Sequence, residues 1–248
     1  MNALDIRSLT LRFGGLKAID RLSFSVPVGE RLVIFGPNGA GKTTLFNVIT
    51  GLFLPTEGSL QMFGKDLADQ GVSQRVAMGL GRTFQITTLF PRLTVLESAM
   101  LAIQAGEPGR FNMVRPLVSS RGIRSRALAL LDEWGVVEKA DTLTMSLSYG
   151  EQRQVELVLA LARKPRLLLL DEPAAGLSVA ETAKVEEMVA RFPRDITVML
   201  IEHDVEMALR LADRVLVMQQ GGLATSGTPD EIRNDPMVAE IYFGAEHV

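Results

Sequence analysis

An α/β fold with a parallel core sheet, an antiparallel β layer and an inserted helical subdomain is predicted by three features of this sequence. The run Gly36-Pro37-Asn38-Gly39-Ala40-Gly41-Lys42-Thr43-Thr44 fits the pattern GxxxxGK followed by Ser or Thr. It lies between a short apolar run of strand type, residues 31–35, and a helical pattern over 42–52 that puts Leu45, Phe46, Ile49 and Leu52 on one side. Two later runs, 166–170 and 196–201, are continuously apolar and end in acidic residues, as expected of parallel strands buried on both faces. The segment 4–28 instead alternates apolar and polar residues, with Leu9, Leu11 and Phe13 followed by Leu22, Phe24 and Val26, the pattern of half-buried antiparallel strands.

Taken in order, Gly14-Gly15 supplies the break between the two N-terminal strands, and the glycine-rich loop and its helix follow. Pro55-Thr56-Glu57-Gly58 is a turn signal that leads into a short strand at 59–63. The character then changes. Residues 95–103 and 123–134 have helical spacing, with a connector containing Gly and Pro at 106–116, and we read about 94–147 as a helical subdomain inserted in a single domain spanning 1–248. A strong helix is expected over 148–163, stopped by Pro165. After the two apolar strands the chain returns to a β ribbon, 215–218 and 223–225 around Gly221-Gly222, and a short helix from Pro229. No internal repeat or low-complexity tract interrupts this order.

At 248 residues and 47% hydrophobic, the chain is long enough to bury a sizeable core. No apolar run approaches the roughly 18 residues needed to cross a bilayer. Met1-Asn2-Ala3-Leu4-Asp5 lacks the basic stretch and apolar core of a signal peptide, so a cytoplasmic location is expected. Cysteine is absent, which excludes disulfides and thiolate metal sites. A net charge of -3, from 26 basic and 29 acidic residues, argues against a general nucleic-acid binder, whose footprint is basic.

In the loop from Gly36 to Thr44, glycines let backbone N–H groups wrap a phosphate, and the helix that follows points its positive end at it. Lys42 adds a mobile positive charge near the β and γ phosphates, and Thr43 would place its hydroxyl on Mg²⁺. The plain alternative, a glycine-rich turn before a helix, does not explain the strand ahead of it. Leu167-Leu168-Leu169-Leu170-Asp171-Glu172-Pro173 puts two carboxylates at the C-terminal end of a buried strand, where open α/β sheets bind ligands. Asp171 fits a ligand of Mg²⁺, direct or through water, and Glu172 fits the group that orients and activates an attacking water. Ser148-Tyr149-Gly150-Glu151 opens the 148–163 helix and supports two readings. Ser148 and Glu151 have the spacing of a capping box, and the same helix start is an anion site for a γ phosphate.

These residues together resemble the ATPase subunits of ABC transporters. The resemblance rests on the phosphate loop, Gln85 in Gly81-Arg82-Thr83-Phe84-Gln85, the segment 147–153, Asp171-Glu172-Pro173 and Ile201-Glu202-His203-Asp204, in that order along essentially the whole chain. It implies a P-loop NTPase that works as a nucleotide sandwich, in which two subunits close head to tail and each signature segment caps ATP held by the other. It also implies that Gln85 contacts Mg²⁺ and the attacking water, that His203 senses the γ phosphate, and that Phe13 stacks on adenine; as residues alone, Gln85 reads equally as a loop amide and Phe13 as core. The ending Gly227-Thr228-Pro229 to Tyr242-Phe243-Gly244, with the exact wording of the other motifs, is similar to the ATPases of branched-chain amino acid importers. That implies ATP and Mg²⁺ as cofactors, a second ATPase subunit, transmembrane permease subunits and, indirectly, an external solute-binding protein as partners, and a peripheral position on the cytoplasmic face of the membrane. Two positions depart from the general pattern: Tyr149 replaces the first signature glycine, and Ser178 stands where many members have an aspartate. Leu89 and Phe90 either line a cleft for a cytoplasmic coupling helix or pack between subdomains. Rival readings are a soluble ABC ATPase acting on ribosomes or DNA, which usually carries two cassettes or a long coiled-coil insertion, and a non-hydrolysing subunit, against which Glu172 and His203 argue.

Overall fold

The computed structural model describes residues 1–83, 89–107 and 121–243. Strands β1 (Asn2–Phe13) and β2 (Leu16–Pro27) form a hairpin, and β3 (Arg31–Phe35) runs through the glycine-rich loop into helix α1 (Lys42–Thr50). Next come β4 (Glu57–Met62), β5 (Lys65–Asp66), α2 (Val72–Ala77) and β6 (Leu80–Arg82). Helices α3 (Val95–Gln104), α4 (Arg121–Glu133) and α5 (Tyr149–Leu161) precede β7 (Leu167–Asp171), which α6 (Val179–Ala190) and β8 (Thr197–Ile201) follow. The chain ends with α7 (Val205–Leu211), β9 (Arg214–Gln219), β10 (Gly222–Gly227), α8 (Pro229–Arg233) and α9 (Pro236–Phe243).

The chain divides into two compact units, the first made of Met1–Arg82, Arg166–Glu172 and the chain from Pro193. It holds both sheets. One is antiparallel, ordered β2-β1-β4-β5; the other is ordered β10-β9-β3-β8-β7-β6 and is parallel from β9 to β6. Alternation along β1 explains how it can be half-buried: Leu4, Ile6, Leu9 and Leu11 all lie in the core. The step from Ile6 to Leu9 spans three residues because the register shifts there and Ser8, at φ 46°, takes up the extra residue as a bulge would. Leu32 and Ile34, Leu167 and Leu169, Met199 and Ile201, and Leu216 and Met218 sit two apart on adjacent parallel strands. They share one core cluster with the buried face of α1 (Leu45, Phe46, Val48 and Ile49) and with the antiparallel sheet. The intervening residues, such as Val33, Leu168, Leu200 and Val217, are buried as well, which is why these strands read as unbroken apolar runs.

Two sequence expectations change here. The helix expected over 42–52 stops at Thr50, because Gly51 turns left-handed (φ 83°) and its N–H closes on Asn47 O and Val48 O. Leu52, expected on the core side, is therefore 52% exposed. The expected ribbon at 215–218 and 223–225 is present, but its first strand β9 also pairs in parallel with β3, so it belongs to the central sheet.

The end of α1 is closed by Arg75, whose side chain is 1% exposed. Its Nη1 donates to Val48 O (2.6 Å) and Ile49 O (2.9 Å), Nη2 to Leu67 O (2.8 Å) and Nε to Gln70 O (2.7 Å). A cation among the last carbonyls of a helix also meets the negative end of its dipole. Arg75→Met would strand these carbonyls, and we expect it to cost about 3 kcal/mol of unfolding free energy in urea denaturation. A loss under about 0.5 kcal/mol would show that the carbonyls are satisfied without it.

The second unit is Thr83–Pro165 with Pro173–Phe192. The helical segment 94–147 falls within it, and the unit also takes in α5 and α6. Thr94 and Glu97 cap α3 reciprocally, at 3.1 and 2.8 Å. Helix α3 packs on α4 and α5, α5 packs on α6, and Trp134 meets Phe192 edge to face at 5.4 Å. Most of the expected 106–116 connector lies outside the described residues.

Candidate nucleotide site

The glycine-rich loop is shaped by two close backbone approaches. A Cβ on Gly36 (φ 148°) would collide with Met218 O, and one on Gly41 (φ 99°) with Ala18 O. Glycine therefore lets the loop pass under the ends of β9 and β2 without steric cost. Gly41 is also the N-cap of α1, with no side-chain cap and no acidic residue in the first turn. By contrast α3, α5 and α8 close their N-termini with capping boxes. The exposed start of α1 keeps its donors and its positive end for an external anion.

Lys42 lies beneath this loop, 6% exposed. Its ammonium donates to Gly36 O at 2.5 Å and Pro37 O at 3.1 Å. Burial pushes its pKa down, while the charges of Glu172 and Asp171 push it up. Strand order explains the meeting: β8 lies between β3 and β7, so the residues following these strands all emerge at one C-terminal edge of the sheet. Asp171 ends β7 and is buried, which drives its carboxyl pKa up; the charge and hydrogen bond of Arg82 oppose that. Glu172, next in the chain, is left-handed at φ 48°, a conformation costing about 1–2 kcal/mol for a residue with a side chain. Its N–H donates to Ile201 O at 2.9 Å, which holds this turn against β8. Its Oε1 shares a hydrogen bond of 2.8 Å with Nε2 of His203, the residue two positions beyond the end of β8. Lys42, Asp171, Glu172 and His203 are thus brought together within the first unit.

The donor set fits Mg²⁺. Asp171 Oδ1 is buried with no hydrogen-bond partner among the described residues, while Oδ2 accepts from Arg82. Thr43 is exposed at the first turn of α1. No cluster of three or more His, Asp or Glu side chains able to hold a metal occurs among the described residues. One carboxylate completed by phosphates and water is the usual arrangement for Mg²⁺ in phosphoryl-transfer sites.

Gln85 lies outside the described residues. Phe13 is not in the core: it is 47% exposed at the end of β1 and meets Phe53 edge to face at 5.3 Å. Ser148, Tyr149, Gly150 and Glu151 belong to the second unit. There the capping box is formed, with Glu151 N donating to Ser148 Oγ at 3.2 Å and Ser148 N to Glu151 Oε2 at 2.8 Å. Two side chains were not anticipated from the sequence. Arg82 bonds to Asp171, and Glu181 accepts from Ser178 N (3.0 Å) and Ser178 Oγ (2.7 Å) and lies against Gly150, where a Cβ would collide with its carboxylate. The spacing of Ser178 and Glu181 did carry a capping signal; nothing local to Arg82 announces its partner.

A phosphate loop between β3 and α1, with acids at the end of a parallel strand in the same sheet, defines a P-loop ATPase fold. Residues 19–175 match the ABC transporter family, and the chain belongs to it. It is 38% identical to the high-affinity branched-chain amino acid transport ATP-binding protein LivG of Salmonella typhimurium over 97% of each chain. It is 35% identical to the corresponding protein BraF of Pseudomonas aeruginosa, again over 97% of each. Among solved structures, the ADP conformation of an ATP-binding cassette of an ABC transporter superposes with a TM-score of 0.88 at 30% identity, covering 98% of this chain and 99% of that one.

Proposed function

We propose that this chain binds ATP with Mg²⁺ and hydrolyses it as one ATPase subunit of an importer for branched-chain or other hydrophobic amino acids. The observation that carries the proposal is the uncapped start of α1, with Lys42 under its loop, at the same edge of the central sheet as Asp171, Glu172 and His203. The loop residues Gly36 to Thr44 take the phosphates, and Lys42 exchanges its two carbonyl partners for phosphate oxygens. Mg²⁺, when bound, neutralises charge on the β and γ phosphates. Asp171 and Thr43 would hold it, with Gln85. Glu172 orients and polarises the attacking water, and His203, bonded to Glu172, reports the γ phosphate. The half-exposed Phe13 takes the adenine face.

The amino acid class comes from the names of the relatives LivG and BraF. A second ATPase subunit, a copy or a paralogue, closes the sandwich by placing its signature segment on this chain's ATP, and Ser148 to Glu151 reciprocate. Permease subunits span the membrane and an external binding protein delivers the solute. No described helix is long and apolar enough to cross a membrane, consistent with a peripheral place on the cytoplasmic face. Phe90, 58% exposed, offers an apolar contact for a coupling helix of the permease. The test is to purify the chain with its membrane subunits in liposomes and measure phosphate release with and without leucine-loaded binding protein. Stimulation supports the proposal, whereas turnover indifferent to every membrane partner returns the chain to the soluble class.

Ser148→Ala separates capping from nucleotide contact. Loss of the cap alone costs about 1 kcal/mol of stability. We expect turnover of the assembled transporter to fall well beyond that loss, measured beside a melting curve. Normal turnover would leave Ser148 a helix cap and nothing more.

A further inference from the structure

We propose that Arg82 is a positioning residue that holds Asp171 by one carboxylate oxygen so that the other, Oδ1, is the one presented to the divalent cation. The inference rests on the nucleotide reading above and goes beyond it by giving a role to a residue outside the motifs. Arg82 ends β6, which pairs in parallel with β7, and its register partner is Leu169, two residues before Asp171. Its Nη2 donates to Asp171 Oδ2 at 3.0 Å. Its Nη1 donates to Asn47 Oδ1 at 2.7 Å and Thr50 Oγ1 at 3.2 Å, both on α1. The guanidinium carbon lies 5.7 Å from the centroid of Phe46, also on α1. The side chains of Arg82 and Asp171 are 6% and 1% exposed.

The geometry has two consequences. A carboxylate has two equivalent oxygens and rotates readily about its last torsion, so a fixed partner on Oδ2 removes the choice of oxygen. Among the described residues Oδ1 is left buried with no hydrogen-bond partner, an arrangement that a bound ligand would satisfy. The rigid fork also ties β7 to α1, the helix whose first turn carries Thr43, and so sets the spacing of two groups proposed to hold the same cation. Lysine, a single point charge, cannot span both partners in this way.

The experiment uses the full chain with Mn²⁺ as a spin probe. Binding of a fluorescent ATP analogue is titrated in EDTA, and Mn²⁺ binding is then titrated by electron paramagnetic resonance at saturating nucleotide. For Arg82→Lys we expect metal-free nucleotide affinity close to wild type but Mn²⁺ affinity weakened about tenfold or more, the usual consequence of losing a group that orients a metal ligand. Asn47→Ala keeps the guanidinium while removing the shorter of its two hydrogen bonds to α1, and should weaken Mn²⁺ in the same direction by less; it serves as the test if Arg82→Lys fails to fold. Unchanged Mn²⁺ affinity in the folded variants, or equal loss of metal-free nucleotide binding, overturns the proposal. Failure of the wild-type chain to bind Mn²⁺ with nucleotide instead overturns the parent reading, and this one with it.

Discussion

Lys42→Ala is expected to abolish most nucleotide binding while leaving the fold in place. The ammonium is buried under the loop, where its two carbonyl contacts compensate only part of the cost that lowers its pKa. Phosphate oxygens are stronger partners for it than carbonyls, since both members of the hydrogen bond are then charged. Losing that interaction should cost about 3 kcal/mol, roughly a hundredfold in affinity. Turnover should fall by at least as much, because the same charge faces the negative charge of the transferred phosphoryl group. Folding survives because glycine backbone geometry and the neighbouring strands shape the loop, without help from the lysine. Calorimetric titration with ATP beside circular dichroism decides it: a well-folded mutant that binds and turns over ATP like wild type would falsify the phosphate-loop assignment.

Glu172→Gln is expected to stop hydrolysis while preserving binding. The amide keeps the size of the side chain and its ability to bond with His203, but not the charge that polarises water. Removing a general base of this kind costs about 10²–10⁴-fold in rate. Lys42, Thr43 and Asp171 remain to hold the phosphates and the metal, and one negative charge fewer faces the γ phosphate. The mutant should therefore accumulate an ATP-dependent closed dimer, alone or with its partner ATPase in the assembled transporter. Phosphate release is measured in the full complex beside a distance probe across the sandwich. Near-normal release would reduce Glu172 to a solvated acid at a strand end, and the cost of its left-handed backbone would then lack a functional reason.

Legibility differed sharply between parts of the molecule. Strands at 31–35, 167–171 and 197–201 were readable because burial on both faces demands uninterrupted apolar side chains. Val215 to Met218 carried the same signal, yet the adjacent Gly221-Gly222 turn suggested a separate ribbon; pairing with β3 uses the other edge of the same strand, which a turn cannot reveal. Leu52 was misplaced because helical spacing continues past Gly51, where the backbone no longer does. The capping box at Ser148 was legible as a spacing of three, since both partners lie in one helical turn.

By itself the sequence determined the phosphate loop, the order of the motifs and the family, because each rests on residues within a few positions of one another whose geometry the local backbone dictates. Only the tertiary structure decided which of these segments meet. Lys42, Asp171 and His203 share one sheet edge because β8 lies between β3 and β7. Arg82 reaches Asp171 across 89 positions of chain because β6 pairs with β7. Glu181 lies against Gly150 because α6 packs on α5. Strand order and helix packing are settled by the joint burial of many apolar faces, a collective free energy that leaves no mark on any single residue.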